Sequence, residues 1–225
     1  PGVADSADTG TTSFWAAETI TPDAASAVSA GYELVIEAAY GSSPVPLAGN
    51  FAGAGMPGVG HYFPSSGIFL LDSNPGTGTL IPAFEFGPKD AANNVPVVGD
   101  FNGDGNDTVG IYNRANGTFY LTTNVLQTSP SVNSAASDEI NLTALIFTFG
   151  PTGDNWVPVI GDWDLQGGDS VGLYDPDTGT FYLKNTNEDG EGKGPGGSDL
   201  TEGADIIVTY SDGGATTDCT PIAGN

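Results

Sequence analysis

VVGDFNGDGNDTVGIYNRANGTFYL, residues 97–121, is one of three ungapped copies of a single sequence unit. The first copy, at 47–71, reads LAGNFAGAGMPGVGHYFPSSGIFLL, and the third, at 159–183, reads VIGDWDLQGGDSVGLYDPDTGTFYL. All three keep a glycine, an aromatic residue, a Val-Gly pair, a tyrosine and a second glycine at matching positions. The chain is therefore built from one supersecondary unit that is used three times.

Each copy has the pattern of short β-strands joined by tight turns. In the second copy, β-branched and aromatic runs predict strands at 95–99, 108–112 and 118–122. A turn is expected at Asn113–Gly117. A fourth strand is expected just before each copy, at Glu33–Tyr40, Ile81–Phe86 and Ala144–Phe149. Four strands per repeat is the number found in a propeller blade, so we expect an all-β fold with three propeller-blade-like, four-stranded repeats.

The sequence outside the copies suggests how the chain is divided. We expect an extended N-terminal arm at 1–30, a three-repeat β domain at 31–186, a Gly-rich linker at 187–203, and a C-terminal strand and tail at 204–225. That last strand stands where a fourth repeat would begin, but no fourth copy of the loop follows it. Because closed propellers have four blades or more, we expect an array that is incomplete or is completed by a neighbouring subunit.

The loop of the second copy has the spacing of a calcium site. Calcium prefers six to eight oxygen ligands on a flexible, sharply bent loop. Gly105 permits the bend, because glycine adopts positive φ without a Cβ penalty. The expected ligands are Asp100, Asn102, Asp104, Asn106 through its backbone carbonyl, and Asp107. The alternative is a turn rich in Asn and Asp that binds no metal.

The other two copies carry graded versions of this loop. In the third copy an amide replaces one carboxylate, and the expected, weaker ligands are Asp162, Asp164, Gln166, Gly168 and Asp169. The first copy has almost no side-chain oxygen, since it reads Asn50, Ala52, Ala54, Gly55, Met56 and Pro57 at these positions, and it should bind no calcium. The repeat is thus predicted to be a structural unit first, with calcium as an optional reinforcement.

The run VPVVGDFNGDGNDTVGIY at 95–112 resembles the secreted bacterial repeats that read V-P-V-x-G-D-W-D-G-D-G-x-D-T-V-G-V-Y. Those repeats are relatives of the integrin-α-like, FG-GAP-type calcium repeats of β-propellers. The resemblance implies a propeller-type blade with Ca2+ in the loop between its first two strands. The ligands that it implies are Asp100, Asn102, Asp104, Asn106 and Asp107. The closing acid lies at loop position 8, one position earlier than in the integrin-type loop.

Charge and composition exclude some partners. The chain has 28 acidic side chains against 4 Lys plus Arg and a formal net charge of -24, which leaves no basic surface for nucleic acid. No run approaches the roughly 18 apolar residues of a membrane span. The start at Pro1 without Met fits a mature product after signal removal, so we expect a secreted protein that is extracellular or at the cell surface.

No catalytic set is recognisable in the sequence. The only histidine, His61, falls in a strand where the other copies have Ile111 and Leu173, and we interpret it as a packing residue. We therefore expect a non-catalytic structural protein, a fibre or surface-layer subunit that forms a homo-oligomer or homopolymer by strand addition. The alternative is a calcium-dependent adhesin or glycan-binding module that offers aromatic surfaces such as Trp15, Trp156 and Trp163.

Overall fold

The computed structural model describes residues 3–7, 11–15, 34–36, 43–53, 55, 57–74, 79–123, 144–153, 155–188 and 203–210. These residues form fifteen β-strands and no helix. The strands are arranged in one three-stranded sheet and three four-stranded sheets, and every pairing is antiparallel. The all-β prediction is confirmed for this part of the chain, which also has no helix long and apolar enough to cross a membrane.

The three-stranded sheet lies before the first repeat. It consists of β1 (Val3–Ala7), β2 (Thr11–Trp15) and β3 (Leu34–Ile36), in that spatial order. The strand expected at Glu33–Tyr40 is seen as β3, which pairs with β2 and not with a strand of the first repeat. The rest of the predicted arm, most of the predicted linker at 187–203, and the tail with Cys219 lie outside the described residues.

Each repeat forms a four-stranded meander. The first sheet has β4 (Val45–Gly49), β5 (Gly58–Phe63), β6 (Ile68–Asn74) and β7 (Thr79–Glu85). The second has β8 (Asn94–Gly99), β9 (Thr108–Asn113), β10 (Thr118–Thr122) and β11 (Ala144–Thr148). The third has β12 (Val157–Gly161), β13 (Ser170–Asp175), β14 (Thr180–Leu183) and β15 (Ile206–Thr209).

The fourth strand of each sheet follows its repeat, so the prediction that it precedes the repeat was wrong. β7 pairs with β6, β11 with β10, and β15 with β14. Aromatic pairs favour this partner: the Phe69 and Phe84 rings stack at 5.5 Å, and the Phe119 and Phe147 rings at 5.6 Å. The C-terminal strand is therefore the last strand of the third sheet and does not begin a fourth.

Successive sheets pack face to face. Val109 and Ile111 of β9 are buried in the core of the first repeat. Val171 and Leu173 of β13 are buried in the same way in the core of the second. The third repeat has a smaller core of Val159, Tyr174 and Leu183 with partly buried neighbours. The first strands, β4, β8 and β12, lie next to one another across these interfaces and so bring the loops that follow them together.

Candidate metal-binding loops

Each candidate loop joins the first strand of a repeat to its second, and its backbone is bent at two fixed positions. The predicted bend at Gly105 is present, with φ +85°, and Gly167 matches it in the third loop with φ +91°. Two residues before each of these, Gly103 has φ +71° and Leu165 has φ +60°. A leucine at positive φ is strained, because its Cβ approaches the following carbonyl oxygen.

The second loop gathers its polar groups around two carboxylates. The Asp100 carboxylate accepts hydrogen bonds from the backbone N–H groups of Asp104, at 3.0 Å, and Gly105, at 2.8 Å. The Asp104 carboxylate accepts from the side-chain amides of Asn102, at 2.9 Å, and Asn106, at 2.7 Å. The structure thus brings together four of the five residues that the sequence singles out in this loop.

The donor set of the second loop fits calcium. The side-chain hydrogen bond from Asn106 is the main cause that lowers the pKa of Asp104, helped by Asn102 and opposed by slight burial, so Asp104 is ionised at neutral pH. Asp100 and Asp104 contribute carboxylate oxygens to this loop, and Asn102 contributes an amide oxygen. A hard cation stabilises such a group of oxygens. The loop is exposed around Asn102–Gly105, so an ion can reach it.

The third loop repeats the pattern with fewer side-chain oxygens. The Asp162 carboxylate accepts from the backbone N–H groups of Gln166, at 3.0 Å, and Gly167, at 2.8 Å. The Gln166 amide donates to the backbone carbonyl of Asp164, at 3.3 Å, and makes no contact like that of Asn106 with Asp104. Gly168 faces the second loop, where a Cβ would stand 3.6 Å from the Gly103 nitrogen. The prediction of weaker binding in the third loop stays a prediction.

The two closing aspartates contact the preceding loop. The Asp107 carboxylate accepts from the backbone N–H of Asn50 at 2.7 Å, and the Asp107 N–H donates to the Asn50 carbonyl at 3.0 Å. Asp169 makes the same two contacts with Asp100, both at 2.8 Å. Within the described ranges, no three His, Cys, Asp or Glu side chains converge as a metal cage.

Negative charge is concentrated where the second and third loops meet. Asp169 is only 6% exposed, and burial is the main cause that raises its pKa. The hydrogen bond from the Asp100 N–H opposes this shift, while the charges of Asp107, Asp100 and Asp162 add to it. A cation near these loops would reduce their mutual repulsion.

Sequence reasoning missed the contacts between loops, although a signal for them was present. Gly49 and Gly99 end β4 and β8 without the positive φ that calls for glycine. A Cβ on Gly99 would lie 2.6 Å from the Ile160 side chain and 3.0 Å from an Asp169 carboxylate oxygen. Gly49 is crowded by Val98 and Asp107 at the same two distances. The glycine shared at this position was the only part of that signal visible in the sequence, and the structure shows that the next repeat approaches it closely.

Comparisons of the chain with protein-family models, with curated proteins and with solved structures gave no match.

Proposed function

We propose that this chain is a non-catalytic, extracellular structural protein whose β repeats are reinforced by Ca2+. The observation that carries the proposal is the position of the second loop, which contacts the loops on both sides. The Asn50 side-chain amide donates to the Gly105 carbonyl at 2.8 Å, and Asp100 is bridged to Asp169. A cation that stiffens this one loop therefore stiffens both junctions between repeats.

The proposed ligands are Asp100, Asn102, Asp104 and the Asn106 carbonyl, with a weaker site at Asp162, Asp164 and Gln166. A bound divalent cation also offsets part of the formal net charge of -24, which otherwise opposes a compact fold. Calcium binds the folded loop and not the unfolded chain, so it stabilises the fold by mass action.

Thermal unfolding in chelator and in rising calcium tests this proposal. We expect a calcium-dependent rise in Tm, equivalent to about 2.7 kcal/mol when free calcium is 100 times the Kd. Asp104→Ala should remove most of that rise, because it deletes the carboxylate that both amides face. Asp177→Asn, which removes an exposed charge from a turn, is the control and should keep the rise. A wild-type Tm unchanged by calcium would contradict the proposal.

The three sheets are proposed to be blades of an incomplete propeller. Three features support this arrangement: each sheet is a four-stranded meander, successive sheets pack face to face, and their first strands are neighbours. A crystal structure tests it directly. First strands that surround a common axis would support the proposal, and a straight stack of sheets would contradict it.

Copies of the chain are proposed to assemble by strand addition at the outer strands β11 and β15. Each ends its sheet, and neither carries a charged residue. Apolar side chains are exposed on both strands, with Ile146 60% and Ile207 44% accessible, and Tyr210 directly after β15 is 66% accessible. Uncharged strand edges are where two acidic chains can approach with little repulsion, and among the described strands β11 and β15 have no neighbour on their outer side.

Sedimentation at rising protein concentration tests assembly. Wild-type protein should form oligomers, and Ile207→Glu should raise the concentration needed by about tenfold, which corresponds to about 1.4 kcal/mol. Ala115→Glu adds the same charge to an exposed turn and should assemble like wild type. Monomers at every concentration would contradict this part of the proposal.

The adhesin alternative has less support from the described aromatic residues. The Trp156 ring packs against Tyr182 at 5.5 Å, and the Trp163 indole N–H donates to the Ser170 carbonyl at 3.1 Å. Both side chains are partly buried, and both pack in the repeat cores. The structural role is therefore the one we propose.

A further inference from the structure

We propose that Asp107 and Asp169 are junction residues, which lock each repeat onto the loop of the repeat before it and do not belong to the cation cage of their own loop. This assignment differs from the one that loop spacing suggests, in which each aspartate closes its own metal site. It does not rest on calcium binding, because the junction contacts are made by the protein alone.

The lock is a pair of reciprocal hydrogen bonds that occurs twice. We count loop positions from Asn50, Asp100 and Asp162, which stand at position 1. The Asp107 carboxylate at position 8 accepts from the backbone N–H of Asn50 at 2.7 Å. The Asp169 carboxylate, also at position 8, accepts from that of Asp100 at 2.8 Å. The backbone N–H of position 8 donates back to the carbonyl of that same residue, at 3.0 Å and 2.8 Å. Since Asn50 and Asp100 differ in their side chains, the lock recognises the backbone of position 1.

The lock is closely packed against the glycine that precedes position 1. Gly49 and Gly99 lie directly before position 1, and a Cβ on either would stand 3.0 Å from the carboxylate of the next repeat. The carboxylate oxygen that receives the N–H therefore lies against the backbone of the neighbouring repeat. A hydrogen bond to an ionised carboxylate in such a partly buried place is stronger than one between neutral groups.

The first and third repeats show why this lock occurs only at the two junctions between repeats. The first repeat has Pro57 at position 8, which has neither a carboxylate nor a backbone N–H and so cannot lock onto a preceding loop. In the third repeat, a Cβ on Gly161 would meet the Trp163 ring at 2.8 Å. The atoms nearest to Gly161 are thus those of Trp163, whereas the aliphatic side chain and the aspartate of the next repeat lie nearest at the other two junctions. A second copy of the chain cannot extend the stack by this lock.

Unfolding experiments in chelator separate a lock from a metal ligand. Asp169→Ala should lower the Tm by about 5 °C in chelator, because the partly buried backbone N–H of Asp100 loses its carboxylate partner. The additional rise in Tm on adding calcium should be kept. Asp104→Ala is the opposite case: it should lower the chelator Tm less, because its hydrogen bonds are exposed, and it should remove most of the calcium-dependent rise. Asp169→Asn should recover part of the loss, since its amide oxygen can accept the same N–H.

Two further variants keep the test decisive if Asp169→Ala does not fold. Asp107→Ala probes the other junction by the same comparison. Gly99→Ala should lower the chelator Tm by a similar amount, because its Cβ would push Ile160 and Asp169 away. Gly161→Ala is the matched control and should shift the Tm less, since its Cβ lies nearest to the outer edge of the Trp163 ring and not to a residue of a neighbouring repeat. The proposal is overturned if the position-8 variants lose the calcium-dependent rise while their chelator Tm stays at the wild-type value.

Discussion

The sheets and the loops of this molecule vary differently between repeats. Along the strands, aromatic and aliphatic residues keep their places, and Tyr62 and Phe69 are matched by Tyr112 and Phe119 in the second repeat. These four rings are buried, and each repeat pairs its tyrosine with its phenylalanine, at 4.7 Å in the first and 4.6 Å in the second. Close packing leaves little freedom to change such side chains.

The loops keep their backbone course while their side chains change. Position 6 is a glycine at positive φ in all three, whereas the oxygen-bearing residues are nearly absent from the first loop and dense in the second. Packing and backbone geometry therefore specify the repeat, while the polar side chains of the loop differ from one repeat to the next. Changes in the buried strand faces should therefore cost more stability than changes in the loops.

The largest effect is expected from the buried phenylalanines. Phe69→Ala and Phe119→Ala should each lower the free energy of unfolding by about 3–5 kcal/mol, because both rings are fully buried and leave a cavity. Phe181 occupies the same position in the third repeat but is only partly buried, so Phe181→Ala should cost less. Denaturant unfolding of the three variants measures this order. Equal losses at all three positions would show that the third core is covered as completely as the others.

The second-largest effect is expected from His61, the only histidine, which interrupts the apolar pattern of the strands. His61 is fully buried where the other repeats have Ile111 and Leu173, and burial lowers its pKa to about 4. Below about pH 6.5 the His61 side chain is protonated in the unfolded chain but stays neutral in the folded protein. The free energy of unfolding should therefore fall as pH drops from about 6.5 towards 4. At pH 5 this loss amounts to about 2 kcal/mol.

Replacing His61 by isoleucine should remove that loss and make the first repeat resemble the others. The difference in unfolding free energy between His61→Ile and wild type should grow between pH 6.5 and 4 and then become constant. Burial raises the pKa of Asp72 and Asp169, which acts in the opposite direction, but these groups are present in both proteins and cancel in the difference. A difference that does not change with pH would show that His61 takes up a proton within the fold.

The local pattern was enough to predict the repeats, the first three strands of each sheet and the bend at Gly105. It was not enough to place the fourth strands, because an apolar run such as Ile81–Phe86 lies between two copies and can pair with either. Ring contacts between β6 and β7 and between β10 and β11 decide that choice, and only the folded chain shows them.

The role of the closing aspartates was hidden for a similar reason. Loop spacing relates Asp107 to residues a few positions away, whereas its carboxylate meets Asn50, 57 residues earlier in the chain. The polar groups inside the second loop were easier to predict, since Asp100 and Asp104 bond to partners within five residues. Local contacts can be deduced from spacing, but contacts between repeats depend on how the sheets stack.

The smallest effect is expected at Leu165, which has positive φ in a candidate metal-binding loop without being a glycine. Leu165 has φ +60° and is 86% exposed, so it carries strain without burying its side chain. Leu165→Gly should raise the free energy of unfolding by about 0.5–1 kcal/mol, since the relief of strain exceeds the added entropy of the unfolded glycine. Gly103→Ala, the reverse change in the second loop, should lower it by more, because its Cβ would also lie 3.2 Å from the Gly167 carbonyl. If Leu165→Gly instead destabilised the protein, the leucine would have to contribute a contact that outweighs its strain, and the loops would be less free to vary than the strand faces suggest.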